Sequence, residues 1–192
     1  MVDNITRYPD WDEIYDLNKD YYDPIASVVR ELLPPRGLEI GFGEYGISAR
    51  AYLENCNGVL TSIDKHDWLG YGAKWEEEFG DRLNLIYGDS KEVPVEGKFN
   101  YIYIDGDHSY EGAKADLIKY TKMLADFGVL IVDDYEVNYG AVTIEKTYGG
   151  YEFLTRPFGV KEATDEILGK KFVRVFNEKK FANGARAFMR RR

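Results

Sequence analysis

The sequence predicts an α/β fold with a doubly wound, mostly parallel sheet of seven strands that ends in an antiparallel hairpin. Short apolar runs alternate with segments of helical spacing along the first 135 residues, which is typical of a parallel sheet covered by helices on both faces. Two further alternating runs flank Asn183-Gly184, a dipeptide that favours a hairpin turn. Ligands of such sheets bind beyond the carboxyl ends of the strands, so the residues that follow each apolar run are candidate functional residues.

The amino-terminal half is predicted to begin with a helix and then to alternate strands with helices. Asp12–Leu33 has helical character, and we expect Pro24 to interrupt it and Pro34-Pro35 to end it, because proline cannot donate the helical hydrogen bond. The predicted strands are the apolar runs Leu38–Phe42, Val59–Ile63 and Leu83–Tyr87, and the predicted helices are Ile47–Asn55 and Tyr71–Phe79.

The carboxyl-terminal half continues the same alternation as far as Val132. Phe99–Ile104 and Val129–Val132 are predicted as the fourth and fifth strands. Glu111–Ala125 is predicted as the helix between them, because its apolar residues repeat at helical spacing, Ser109 or Tyr110 precedes it and Gly128 follows it.

The last sixty residues follow a different pattern. Tyr135–Phe158 is rich in tyrosine and glycine without a clean period, and we expect an irregular cover on the substrate side of the site. Val160–Leu168 is predicted as a helix, and Phe172–Phe176 with Ala185–Met189 as the closing hairpin.

Composition limits the function classes. The 192 residues predict a single domain, in which residues 1–35 form a helical cap and residues 135–158 the cover. The net charge of −9 argues against general nucleic-acid binding, and no apolar run approaches the roughly 18 residues of a membrane helix. The single cysteine, Cys56, excludes an internal disulfide and a cysteine-rich zinc site, and a cytoplasmic location is the expectation.

A glycine-rich turn after the first strand predicts a nucleoside site. Gly41, Gly43 and Gly46 form the pattern G-x-G-x-x-G between a strand and a helix, and Asp64 follows the second strand, where a carboxylate can accept both ribose hydroxyls. Nucleotide-dependent oxidoreductases and S-adenosylmethionine-dependent methyltransferases share this arrangement. Glu39 favours the second class, because an acid before the glycines would repel a pyrophosphate but tolerate a cationic sulfonium.

Several ordered motifs resemble the class I methyltransferases, which have a Rossmann-like fold. Leu38–Ala49 resembles motif I of the catechol- and caffeoyl-CoA-type O-methyltransferases, Gly88-Asp89-Ser90 resembles the turn that borders adenine, and Ile104–Gly112 resembles a motif of the macrolide-sugar enzymes. Leu124–Asp134 resembles the block that follows in these enzymes. The resemblance implies S-adenosylmethionine as cofactor, bound by Glu39, Gly41, Phe42, Gly43, Gly46, Ser48, Asp64, Lys65, Asp89, Ser90 and Asp105.

The same resemblance implies roles for the acids at the strand ends. Asp105, Asp133 and Asp134 match the positions that hold a divalent ion in the metal-dependent members, and oxygen ligands favour Mg²⁺, with Mn²⁺ or Ca²⁺ as alternatives. His108 and Asp105 are the expected catalytic residues. Histidine occupies this position in the macrolide-sugar relatives, and its ordinary pKa of about 6.5 suits removal of a hydroxyl proton. Asp107 is expected to support His108.

Several alternatives stay open at this level. A methyltransferase of the same fold without a metal, a nucleotide-dependent oxidoreductase and a non-catalytic nucleoside-binding module all accommodate the glycine turn and Asp64. His108 could instead cap the following helix. A small molecule is the expected partner, and the amino-terminal aromatic residues Tyr8, Trp11, Tyr15, Tyr21 and Tyr22 could form a substrate lid or a homodimer surface.

Overall fold

Five parallel strands and an antiparallel hairpin form the central sheet of the protein. The structure is a computed structural model that describes residues 9–136, the backbone of 146–148 and 151–153, and residues 158–176 and 184–191. The described helices are α1 (Trp11–Leu32), α2 (Ile47–Asn55), α3 (Tyr71–Phe79), α4 (Tyr110–Tyr120) and α5 (Val160–Leu168). The strands are β1 (Arg36–Ile40), β2 (Val59–Asp64), β3 (Leu83–Tyr87), β4 (Phe99–Ile104), β5 (Leu124–Val132), β6 (Lys146–Tyr148), β7 (Tyr151–Phe153), β8 (Phe172–Val175) and β9 (Arg186–Arg190).

The seven-stranded sheet has the order β3-β2-β1-β4-β5-β9-β8. Strands β1 to β5 pair in parallel, whereas β9 is antiparallel to β5 and β8 is antiparallel to β9. The predicted α/β fold with its carboxyl-terminal hairpin is therefore confirmed. The chain leaves β1 towards β3 and later continues from β4 on the other side of β1, so the topological switch point lies between β1 and β4.

Alternating side chains divide the core between the two faces of the sheet. On β4, Tyr101 and Tyr103 pack with the buried residues of α1 and α2, whereas Ile102 and Ile104 pack with those of α4 and α5. Both faces are covered, which explains why the strands read as nearly continuous apolar runs. The acids Asp64, Asp105 and Asp133 stand at or directly after the carboxyl ends of β2, β4 and β5.

Helix α1 corrects the prediction of an interruption at Pro24. The helix runs without a break from Trp11 to Leu32 with Pro24 inside it. Ile25, Ala26 and Val29 are fully buried on the following turns. Burial of this apolar face outweighs the hydrogen bond that proline cannot donate.

Other boundaries also differ from the prediction, and β1 ends at Ile40 instead of Phe42. Helix α4 ends at Tyr120, and β5 begins at Leu124 instead of Val129. Phe127 has a positive φ of 65°, and the pairing of β4 with β5 shifts register between Phe99 and Tyr101, so an irregular section joins two parts of one strand. Within the predicted irregular cover, Lys146–Tyr148 and Tyr151–Phe153 pair as a two-stranded antiparallel sheet.

No helix in the described ranges combines the length and apolar composition that crossing a membrane requires.

Candidate functional site

A cavity of about 700 Å³ opens at the carboxyl ends of β1 to β4, beside the switch point. This volume lies within the range of roughly 300–1,000 Å³ that is typical of small-molecule sites. Nine of the residues predicted from the sequence line it: Gly41, Gly43, Asp64, Lys65, Asp89, Ser90, Asp105, Asp107 and His108. Six others do not line it: Glu39, Phe42, Gly46, Ser48, Asp133 and Asp134.

The strand ends bring the acids together because the ladder of backbone hydrogen bonds continues to the edge of the sheet. Asp105 donates its N–H to the carbonyl oxygen of Ile40 at 2.8 Å, and Asp133 donates to the carbonyl oxygen of Ile104 at 2.9 Å. The acids after β4 and β5 therefore meet at the edge to which the glycine turn also belongs.

The glycine turn is packed directly against the end of β4. Gly41 has a φ of +93°, and a Cβ atom there would lie 2.0 Å from the carbonyl oxygen of Asp105. Any other residue would be strained in backbone conformation and would collide with main-chain atoms. Glycine at position 41 thus allows β1 and β4 to end side by side at the cavity.

Asp64 accepts hydrogen bonds from four protein groups. The N–H groups of Phe42 and Gly43 donate to Oδ2 at 2.8 and 2.9 Å, and His66 N–H and Trp68 Nε1 donate to Oδ1 at 3.2 and 3.1 Å. A carboxylate offers about four lone-pair positions. A ribose that binds Asp64 therefore has to replace some of these donors, and the longer bonds to Oδ1 are the weaker ones.

Glu39 lies in the core and away from the cavity lining. Its side chain is 1% exposed and accepts hydrogen bonds from Ser62 and Ser48. Burial raises the pKa of the Glu39 carboxyl to about 7, against the hydrogen bonds from the two serines, which lower it. The sequence predicted a charged Glu39 beside the ligand, whereas its carboxyl is buried, and the raised pKa leaves it partly protonated at neutral pH.

His108 forms an ion pair with Asp105 at the cavity wall. Its Nε2 lies 2.9 Å from Asp105 Oδ1, and its Nδ1 lies 3.5 Å from Asp134 Oδ2. Burial lowers the pKa of His108, but the hydrogen bond to Asp105 and the charges of Asp105, Asp134 and Asp133 outweigh it and raise the pKa to about 9. The imidazole is therefore charged at neutral pH and balances part of the acidic charge, in contrast to the ordinary pKa of about 6.5 expected from the sequence.

The group that could hold a metal ion differs from the predicted set. Asp105, His108 and Asp134 each offer one ligand atom, and these atoms lie within 4.8 Å of one another. Asp133 does not belong to this group. It is 5% exposed, and burial followed by the charges of Asp105 and Asp134 raises the pKa of its carboxyl well above the usual range.

Tyr21 is a site residue to which the sequence argument assigned no specific role. Its hydroxyl donates to Asp105 Oδ2 at 2.9 Å and accepts from the hydroxyl of Tyr103 at 2.7 Å. Burial, followed by the charges of Asp105 and Asp133, raises the pKa of Tyr21 well above its usual value, so the hydroxyl stays protonated and can donate. Asp105 is thus held between Tyr21 on one oxygen and His108 on the other.

Asp116 is a second residue that the sequence argument missed. It lies on α4, lines the cavity and is 2% exposed. Burial raises the pKa of its carboxyl to about 6. A helical aspartate resembles a solvated surface residue in the sequence, and the available signal was that Ala113 and Tyr120, its neighbours at helical spacing, belong to the apolar face of the helix.

A comparison with protein-family models found a match that covers the first five strands of the central sheet in part or in full. A protein-family model described as a methyltransferase domain matches residues 38–135, which include the glycine turn and the acids after β4 and β5. A search of curated proteins found no match to this chain.

Solved structures with the same fold include three methyltransferases or proteins described as such. The S-adenosylhomocysteine-bound methyltransferase PaMTH1 of Podospora anserina is 18% identical, with 97% of this chain and 84% of that chain covered and a TM-score of 0.68. A Staphylococcus aureus protein described as a caffeoyl-CoA O-methyltransferase is 17% identical, with coverages of 92% and 88% and a TM-score of 0.67. The 1,6-didemethyltoxoflavin-N1-methyltransferase of Burkholderia thailandensis is 17% identical, with coverages of 92% and 79% and a TM-score of 0.62.

The buried carboxyl of Glu39 predicts a specific pH dependence of stability. The pKa of Glu39 is about 7 in the folded state and 4.5 ordinarily, so the folded state holds the proton more tightly than the unfolded state. The resulting contribution to stability is fully present below pH 4.5 and is lost as the pH rises through 7. Between pH 5 and pH 8, we expect the free energy of unfolding of the wild type to fall by about 2 to 3 kcal/mol more than that of Glu39→Gln. Urea unfolding at both pH values measures it, with the exposed Glu77→Gln as control. Parallel pH profiles for the wild type and Glu39→Gln would contradict the assignment.

The ion pair predicts the titration of His108. We expect an imidazole NMR titration to give His108 a pKa of about 9, and Asp105→Asn to lower that pKa by more than about one unit, because a charged partner is lost. Asp107→Asn is the matched control, since the Asp107 carboxylate accepts from the N–H of Ser109. A His108 pKa that is the same in Asp105→Asn and the wild type would show that the ion pair is absent in solution.

Proposed function

Since the chain belongs to the methyltransferase-domain family whose model matches residues 38–135, we propose that it transfers the methyl group of S-adenosylmethionine to a hydroxyl group of a small molecule, with His108 as the base. The family makes the chain an S-adenosylmethionine-dependent methyltransferase. The class of acceptor and the roles of the individual residues are the proposal. The observation that carries it is the His108–Asp105 pair at the cavity wall, next to the glycine turn.

The cavity offers separate places for the parts of the cofactor. Asp64, at the end of β2 and beside the glycine turn, is placed to accept the ribose hydroxyls. Gly41 and Asp105 lie where β1 and β4 end, and the sulfonium would lie near them because carboxylate charge stabilises a cation. The segment from Gly88 to Lys91, after β3, is then the part of the lining that would contact the adenine ring.

The reaction requires an attacking oxygen, an acceptor for its proton and a fixed geometry. When bound, S-adenosylmethionine would supply an electrophilic methyl carbon for the acceptor oxygen, with S-adenosylhomocysteine as the leaving group. His108 is oriented by Asp105 Oδ1, while Tyr21 holds the other oxygen of the same carboxylate. An imidazolium cannot accept a proton, and the pKa of about 9 leaves His108 mostly protonated at neutral pH. His108 therefore has to release that proton before it can act as the base, and turnover by this route should rise as the pH approaches 9.

A metal-assisted reaction is the second candidate, and the grouping of Asp105, His108 and Asp134 favours it. Two carboxylates and an imidazole form a mixed donor set that suits Mn²⁺ better than Mg²⁺, which prefers oxygen ligands. A bound divalent ion would supply Lewis-acid activation of the hydroxyl. The same nitrogen of His108 cannot serve in both candidate reactions, because a nitrogen that binds a metal cannot also accept the proton of the acceptor hydroxyl.

An amine acceptor is an alternative to a hydroxyl. The Burkholderia neighbour is named as an N-methyltransferase, and the carboxylates of Asp105 and Asp134 would also attract an ammonium group. A hydroxyl is preferred because the His108–Asp105 pair can serve as base and orienting group for it. A panel of acceptors that contains both hydroxyls and amines distinguishes the two classes.

Calorimetry and product analysis test the proposal together. We expect the wild type to bind S-adenosylhomocysteine and to methylate at least one member of a panel of phenols, catechols, sugars and amines. Asp64→Ala should weaken binding roughly 10- to 100-fold, because it removes charge-assisted hydrogen bonds, and the exposed Asp81→Asn should not. His108→Asn should retain binding but lose at least roughly 100-fold in kcat, which is the usual contribution of a general base.

The outcomes separate the alternatives. Binding of a nicotinamide dinucleotide instead of S-adenosylhomocysteine would indicate an oxidoreductase, and binding without turnover on any panel member would indicate a binding module. Loss of turnover in EDTA, restored by Mn²⁺, would replace the base role of His108 by the metal-assisted reaction. Methylation of amines alone would overturn the hydroxyl assignment.

A further inference from the structure

The carboxyl group of Asp116 lies in the wall of the cavity and is hydrogen-bonded through one of its two oxygens. Ser90 Oγ donates to Asp116 Oδ1 at 2.6 Å. Within residues 9–136, 158–176 and 184–191, no donor hydrogen-bonds to the second oxygen, Oδ2. Asp116 is 2% exposed as a residue and lines the cavity, so this oxygen is available to a donor group of a molecule that binds there.

Gly106 lies next to the carboxyl of Asp116 and has no side chain that would cover it. A Cβ atom on Gly106 would lie 2.9 Å from Asp116 Oδ2, and Gly106 itself lines the cavity. Absence of a side chain at position 106 therefore allows the carboxyl of Asp116 to reach a bound molecule. This gives the glycine between Asp105 and Asp107 a specific function.

The position of Asp116 corresponds to the base end of the proposed cofactor. With the ribose at Asp64 on β2 and the reacting groups at Asp105 on β4, the base is left to the segment after β3, to which Ser90 belongs. Asp116 is bonded to that segment. An adenine presents an amino group, which donates hydrogen bonds, and a carboxylate only accepts them.

We propose that Asp116 Oδ2 accepts a hydrogen bond from the exocyclic amino group of the cofactor's adenine and thereby determines the specificity for an adenine base. This inference rests on the proposed cofactor site. A pKa of about 6 leaves the carboxyl mostly ionised at neutral pH, in the form that accepts. Asp89 also lines the cavity, but its carboxylate already faces Lys65 at 3.4 Å, Lys91 at 3.6 Å and the N–H of Lys91 at 2.9 Å.

A structural role has to be separated from recognition, because α4 also holds the segment after β3 in place. Lys119 Nζ donates to the carbonyl oxygens of Ser90, Lys91 and Val93 at 2.6, 3.1 and 2.7 Å. Loss of this contact should displace the segment and weaken all ligands alike. Loss of a specific acceptor should instead change the preference between two bases.

The test compares S-adenosylhomocysteine with S-inosylhomocysteine, in which a carbonyl oxygen replaces the amino group. We expect the wild type to bind the adenosyl ligand at least roughly 100-fold more tightly, because the carboxylate faces an oxygen in the inosyl ligand. In Asp116→Asn the amide oxygen can still accept from Ser90 while its NH₂ group can donate to the inosyl carbonyl, so the preference should fall at least roughly 10-fold. Lys119→Ala is the matched control, and its preference should equal that of the wild type. Calorimetry measures all three proteins.

Each outcome has one meaning. Failure of the wild type to bind S-adenosylhomocysteine overturns the proposed cofactor site and this inference with it. Binding by the wild type with an unchanged preference in Asp116→Asn overturns this inference alone. If Asp116→Asn does not fold, the inference is tested by the binding of the N6,N6-dimethyl analogue of S-adenosylhomocysteine to the wild type, because this analogue has no amino donor. If Asp116 is the acceptor, the ratio of the affinities for S-adenosylhomocysteine and for the analogue should fall as the pH drops below about 6, where the carboxylate becomes protonated. A ratio that stays constant down to about pH 4.5 overturns the inference.

Discussion

The close approach of β1 to the end of β4 is the constraint on which the site depends. The missing side chain of Gly41 lets the turn lie against the carbonyl oxygen of Asp105, where a Cβ would stand only 2.0 Å away. From this contact follow the bonds from the turn to Asp64 and the position of Asp105 at the cavity. A larger residue at position 41 would separate the two strand ends and open the site.

Charge balance is the second organising feature. Three aspartates lie close together after β4 and β5, and like charges at such distances cannot all be ionised without a counter-charge. In this structure the charged His108 supplies it, bonded to Asp105 and near Asp134. Asp133 is the most buried of the three, and burial with the charges of Asp105 and Asp134 raises the pKa of its carboxyl. A cation that enters the site therefore competes with the proton on His108 for the same carboxylates.

The particular residues show where prediction from the sequence succeeded and where it did not. The strands were predictable because runs such as Phe99–Ile104 are buried on both faces, and the glycine turn was predictable because its spacing is local. The continuity of α1 through Pro24 was not, since it depends on burial against α2. Tyr21 was missed as a partner of Asp105 because 84 residues separate them. Site membership of Asp116 depends on a cavity that no periodicity reveals.

The sequence by itself determined the order of strands and helices, the glycine turn and the presence of acids after β2, β4 and β5, because each of these is written in local spacing. Only the tertiary structure decided which of the acids face the cavity and which protonation states they have. Burial raised the pKa of Glu39 and Asp116, and the neighbouring acids raised that of His108. The physical reason is that desolvation and charge interactions depend on distances between residues that are remote in sequence and adjacent only after folding.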